Sequence, residues 1–136
     1  MSQVDRSAGK RCIRRPQTVT VEYLRDVLEA YCLGTWNQNP HTVAAAWGRR
    51  ECALVVRLPD VPADFTVLVD NGVVRSVAVG LPPRPRISCV VSADTLLRLY
   101  HQETAAAIEC IAGRITVRGN EFERRRLLAV MSFLTW

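Results

Sequence analysis

Between Val19 and Leu33 the apolar residues Val21, Leu24, Val27, Leu28, Tyr31 and Cys32 recur at helical spacing, with Glu22, Arg25, Asp26 and Glu29 between them. That spacing predicts a helix with one apolar face, capped by Thr20 and ended by Gly34. Asn39 and Pro40 then predict a shorter helix over His41 to Trp47, with Asn39 as cap and Pro40 in the first turn. After Gly48 the period changes. Cys52, Leu54, Val56 and Leu58 alternate with Ala53, Val55 and Arg57, and Phe65, Val67 and Val69 alternate with Thr66, Leu68 and Asp70. Asn71-Gly72 between β-branched runs predicts a tight hairpin. It leads into a strand from Val73 to about Leu81, in which Val77, Val79 and Leu81 share one face.

Pro82-Pro83-Arg84-Pro85 interrupts the pattern, since proline cannot sit inside a central strand. A strand with Ile87, Cys89 and Val91 on one side follows, then a helix started by Ser92 or Asp94. Thr104 is expected to cap a further helix, Ala105 to Ala112, ended by Gly113. Residues 114–118 alternate as a fifth strand, and Asn120 with Glu123 three residues on forms a near capping box for a last helix. From Leu127 to Trp136 that helix is apolar almost all round. Such a helix is expected to bury both faces, against its own core, a ligand or a partner.

Length and charge narrow the picture. A chain of 136 residues, 49% of them hydrophobic, suits one domain with a single core. The net charge of +5 is unevenly placed. Residues 1–16 carry five basic groups against Asp5, and the remaining 120 carry 13 basic against 12 acidic groups. Residues 1–17 are accordingly read as a flexible, solvated basic tail and 18–136 as one nearly neutral domain, with no nucleic acid as partner. No apolar run reaches the ~20 residues of a membrane span, and none near the start has signal-peptide length. The five cysteines are odd in number and lack C-x-x-C spacing, so neither zinc nor a redox pair is expected, and no cofactor. Small buried thiols suit a cytoplasmic protein, and the predominance of arginine over lysine suits a GC-rich, bacterial coding sequence.

The run from Ser92 to Leu134 resembles the sterol carrier protein (non-specific lipid-transfer) domain family. A short helix, the alanine-rich helix from Ala105 to Ala112, the run Gly113-Arg114-Ile115-Thr116-Val117-Arg118-Gly119-Asn120 and an apolar final helix follow in the family's order. The hairpin around Asn71-Gly72 fits its early strands. Gln102-Glu103 and Thr104-Ala105-Ala106 depart from the Gly-Lys and Asn-Pro that the family often has between its middle helices. The resemblance implies an α+β fold, an about five-stranded, mainly antiparallel sheet covered on one face by helices, with a hydrophobic tunnel between the layers. It implies a carrier or binding protein for a hydrophobic small molecule: a fatty acid, fatty acyl-CoA, sterol or another polycyclic or polyketide-like metabolite. Leu99, Ile111, Ile115, Val117, Leu127, Leu128, Met131 and Leu134 are the expected tunnel residues.

Arg124-Arg125-Arg126 reads as a solvated helix face balanced by Glu121 and Glu123. At a tunnel mouth, Arg124 and Arg125 would anchor a carboxylate or a CoA phosphate. The alternative function is an enzyme that converts or cyclises an apolar intermediate in the same tunnel, for which His101, Glu103 and Asp94 are the first acid–base suspects. An interaction module, with the last helix docking on a second copy or a partner enzyme, is the third reading.

Overall fold

The computed structural model describes residues 19–133. The basic segment 1–17, and Leu134 and Trp136, lie outside the described residues. Helix α1 is Val21–Gly34, a 3-10 turn spans Trp36–Gln38, and α2 is Pro40–Trp47. Strands β1 (Cys52–Leu58), β2 (Ala63–Asp70), β3 (Val73–Val79) and β4 (Ile87–Val91) follow, then α3 (Ala93–Tyr100), α4 (Ala106–Ile111), β5 (Ile115–Gly119) and α5 (Glu121–Phe133).

The strands form one mixed sheet in the order β3-β2-β1-β4-β5. All neighbouring pairs are antiparallel except the central β1·β4 pair. That exception follows from the connection over residues 80–86, which carries the chain from the edge at β3 back across β2 and β1 before β4 begins. Side chains alternate across a strand, so Leu54, Val56, Phe65, Val67, Cys89, Val91, Ile115 and Val117 present one apolar face, and all of them belong to the core together with buried residues of every helix. The opposite face is half-exposed at Ala53, Thr66, Leu68, Ser88 and Val90. The helices therefore cover one face, as the resemblance implies.

Local chemistry sets the ends of these elements. Thr20 accepts from the Tyr23 amide at 3.1 Å, Ser92 from the Thr95 amide at 3.1 Å, and Asn120 from the Glu123 amide at 2.8 Å, each satisfying an orphan donor of a first helical turn. Asp60, from the β1–β2 turn, accepts from the Ala93 amide at 3.1 Å and adds a tertiary cap to α3. In the hairpin, Asn71 and Gly72 both have positive φ, 52° and 81°, the signature of a type I′ turn. The hairpin also docks: a Cβ on Gly72 would overlap the Pro40 carbonyl oxygen at the start of α2. Asn37 holds the other side of β3, accepting from the Val74 amide at 2.7 Å and donating to its carbonyl at 3.1 Å.

Four expectations need correction. Thr104 does not cap α4: Ala105 occupies the cap position, and the Thr104 hydroxyl donates to Glu109 at 2.5 Å instead. The Asn39 side chain likewise donates back to the Thr35 carbonyl at 3.1 Å rather than capping α2. Val79 pairs with Phe65 as Val77 pairs with Val67 and so shares its face, but that face is buried only as far as Val77: Val79, at the end of the edge strand, and Leu81, beyond it, are both exposed. The last helix buries one stripe, Leu127, Val130 and Met131, and leaves Phe122 and Leu128 exposed, so over the described residues it is an ordinary one-sided helix.

Glu109 is a fully buried carboxylate that the pattern of apolar residues hides. It is 0% exposed. Arg114 Nε donates to one oxygen at 2.5 Å and Arg114 Nη2 to the other at 3.1 Å, where Thr104 also donates, and Arg98 Nη1 stands 3.8 Å away. The hydrogen bonds from Arg114 and Thr104 hold its pKa down to about 2, from an ordinary 4.5. A carboxylate with a depressed folded-state pKa stabilises the fold above about 4.5 and loses that contribution as pH falls from there towards 2. We expect Glu109→Gln to cost about 1–3 kcal/mol at neutral pH and to flatten the acid limb of stability in that window. Urea unfolding of both proteins from neutral pH downwards checks it; parallel acid limbs would show that Glu109 does not carry the dependence.

Candidate functional site

The apolar face of the sheet and the helices above it do not close completely. Between them lies a cavity of about 60 Å³. Its sheet side is Leu54 and Val56 of β1, Val67 of β2, Cys89 and Val91 of β4, and Ile115 of β5. Its helix side is Leu28, Tyr31 and Cys32 of α1, Trp36 of the 3-10 turn, Leu96 and Leu99 of α3, Ala106 of α4, and Leu127 and Met131 of α5. Every element of the fold except α2 and β3 thus contributes to its wall. Protein interiors pack densely, and at about 24 cal/mol per Å³ a void of this size costs about 1.5 kcal/mol.

The chemistry of the wall is nearly all hydrocarbon and sulfur. Burial pushes the Cys32 and Cys89 thiols up to about 12, with Glu29 adding to the rise at Cys32 and Cys110 to that at Cys89. The Tyr31 hydroxyl is also raised by burial. At neutral pH all three groups stay neutral, so the wall holds no thiolate nucleophile. Met131 meets Cys110 at 3.8 Å between sulfurs, a soft contact that joins α5 to α4. Among the described residues no group of His, Cys, Asp and Glu is placed to hold a metal ion, and no helix is long and apolar enough to cross a membrane.

The expected site residues separate into three sets. Leu99, Ile115, Leu127 and Met131 line the cavity, and Val117 is buried in the core beside them. Ile111 and Leu128 do not wall it: Ile111 is 88% exposed and Leu128 37%. The reason is phase. In α4 the inward positions are Ala106 and Glu109, which turns Ile111 outward, and in α5 the inward stripe passes through Leu127, Val130 and Met131. Leu134 lies outside the described residues. His101, Glu103 and Asp94 are all exposed and line no part of the cavity. Arg124 and Arg125 are exposed as well, with Arg125 paired to Glu121 at 2.8 Å. The described residues line an apolar cavity and do not show a tunnel.

Sequence reasoning missed Leu28, Tyr31, Cys32, Trp36 and Leu96 as wall residues. The helical spacing of α1 marks its inward face, and that signal gives Leu28, Tyr31 and Cys32 as core without saying that the core is incomplete above them.

Neither a protein-family model nor a curated protein sequence matches the chain. Comparison of the fold with solved structures finds a stereoselective inverting sec-alkylsulfatase, Pisa1, from Pseudomonas sp., at 14% identity and a TM-score of 0.55, over 85% of this chain and 16% of the sulfatase. It also finds sterol carrier protein 2 like 2 from Aedes aegypti, at 14% identity, 77% of this chain, 96% of that one and a TM-score of 0.47. Sterol carrier protein 2 from Yarrowia lipolytica matches at 15% identity, 81% of this chain, 88% of that one and a TM-score of 0.44. The chain resembles sterol carrier protein 2 structures in fold. This chain spans a small part of the sulfatase and most of the length of the two carrier proteins. At such identities the likeness is one of fold alone.

Proposed function

We propose that the protein binds a hydrophobic small molecule between its sheet and helices, with α5 as the wall that gives way to admit it. The observation that supports this reading is the apolar cavity at the centre of the core, built from nine separate segments of chain and holding no ionised group. Pockets for small ligands run to about 300–1,000 Å³, so about 60 Å³ is a seed for a ligand site and holds only a fragment of an acyl chain. Enlarging it means moving a helix, and displacing α5 breaks no hydrogen bond between strands. Leu127 and Met131 would leave with it, and the flexible thioether of Met131 can repack against varied shapes. Each methylene that then leaves water contributes about 0.8 kcal/mol. Capture by enclosure needs no catalytic group, and the exposed positions of His101, Glu103 and Asp94 fit binding rather than conversion.

Titration with cis-parinaric acid, a fluorescent fatty acid, tests the reading. We expect saturable binding of one molecule per chain, displaced by palmitate. Cys89→Leu, which fills the cavity with a side chain the core can accept, is expected to weaken binding by about tenfold or more. The double variant His101→Ala, Glu103→Ala is expected to bind as the native chain does. Equal binding by the Cys89→Leu variant would place the probe elsewhere and overturn the assignment.

A further inference from the structure

A second pocket, of about 460 Å³, lies where the end of α2, the start of β1 and the first turns of α5 meet. Its character is opposite to that of the central cavity, with which it shares no wall residue. Arg49, Arg50, Arg86 and Arg126 line it against two acids, Glu51 and Glu123, which leaves two positive charges in excess. Among the described residues only one of the four guanidinium groups is in an ion pair: Arg86 meets Glu123 at 2.8 Å. Arg49 donates to the side-chain carbonyl of Asn71 at 3.1 Å, and Arg126 lies 4.4 Å from the centre of the Phe122 ring. Among the described residues neither Arg49, Arg50 nor Arg126 has a carboxylate at ion-pair distance.

Two further features point to a ligand. Trp47, only 4% exposed, lines the same pocket, and its indole Nε1 is buried with no acceptor among the described residues. A buried donor left without a partner costs about 1–3 kcal/mol. Gly48, the next residue, holds φ at +107°, and a Cβ there would stand 3.3 Å from Arg126 Nη1, so the glycine gives the guanidinium room at the pocket wall. We propose that this pocket binds the phosphate of an organic phosphomonoester. Such a group carries close to two negative charges at neutral pH, which matches the excess, and its oxygens suit the forked donors of arginine. One oxygen of the ligand would supply the acceptor that Trp47 lacks. Phe122, 65% exposed at the rim, offers a surface for the organic part. The proposal stands apart from the reading of the central cavity, and either can fail without the other.

The test follows the indole N–H resonance of Trp47 in nitrogen–proton correlation spectra, assigned with Trp47→Phe, during titration with inorganic phosphate. We expect a saturable shift, weakened about tenfold or more by Arg50→Gln with Arg126→Gln. Both substituted side chains are exposed, and the same spectra report that the fold is kept. The control Arg75→Gln, on an exposed position of β3, is expected to leave the shift unchanged. Absence of a saturable shift, or equal weakening by the Arg75→Gln control, would overturn the site. Glycerol phosphate and dodecyl phosphate then separate the two sources of the ester. Tighter binding of dodecyl phosphate that Cys89→Leu abolishes identifies the head of an amphiphile whose tail enters the cavity, since Cys52 of the pocket and Leu54 of the cavity are successive residues on one face of β1. Equal binding of the two esters identifies a soluble one.

Discussion

Leu127→Ala is expected to lower the unfolding free energy by about 3–4 kcal/mol and to make the protein bind benzene. Leu127 is fully buried and lines the existing void of about 60 Å³, so the deleted atoms extend a cavity that is already present. The loss then has two parts, the transfer of the missing methyl groups and the cavity they leave, and buried leucines that open such spaces cost about 2.7–5.0 kcal/mol. An apolar cavity of this enlarged size stays dry and accepts small apolar molecules. Chemical denaturation with and without benzene measures both effects, the second as a rise in the midpoint. A cost below about 1.5 kcal/mol with no response to benzene would mean that α5 collapses into the gap, and that the wall has no fixed shape.

Gly72→Val is the second large effect, with an expected cost of about 3 kcal/mol or more. Two terms add. The residue holds φ at +81°, where a β-branched side chain is strained by about 1–2 kcal/mol. Its Cβ would also overlap the Pro40 carbonyl oxygen and crowd Ala44, so either the hairpin or α2 must move. The α2 helix carries Trp47, which packs edge-to-face on Trp36 at 6.0 Å, and Trp36 lines the cavity. Strain at the hairpin is therefore expected to reach the near-ultraviolet circular dichroism of the tryptophans as well as the unfolding midpoint. A loss confined to stability, with native tryptophan ellipticity, would show that the hairpin and not α2 absorbs the clash.

How far the sequence carries depends on whether a feature is local. The hairpin is local: Asn71 and Gly72 select their turn by backbone sterics, and the structure places it there. So are the caps at Thr20, Ser92 and Asn120, each of which satisfies a donor three residues on. The strand faces follow from alternation, which needs only neighbours along the chain. Thr104 fails because a hydroxyl has two uses, and a buried carboxylate five residues on is a stronger partner than a helix end. The signal for Glu109 was present, as a single acid in Ile108-Glu109-Cys110-Ile111 flanked by Thr104 and Arg114, but only the fold brings the three together. Ile111 fails because the one acid of α4, Glu109, faces inward and turns the apolar residue out, and Leu128 fails because the run from Leu127 is apolar on consecutive positions and gives no phase of its own. Arg126 differs from Arg124 and Arg125 by one or two residues in sequence, and helical rotation alone sends it to the pocket beside Gly48. Cavity size is the least legible property of all, because it is a small difference between the volume of the shell and that of the side chains filling it.

The apolar interior is expected to admit a ligand much larger than the void it shows. Native mass spectrometry of the chain after incubation with palmitate tests it most directly, with Cys89→Leu and the double variant His101→Ala, Glu103→Ala measured beside it. A single palmitate adduct is expected on the native chain and on the double variant, and its loss on Cys89→Leu. No adduct on the native chain, or the same adduct on all three proteins, would contradict it.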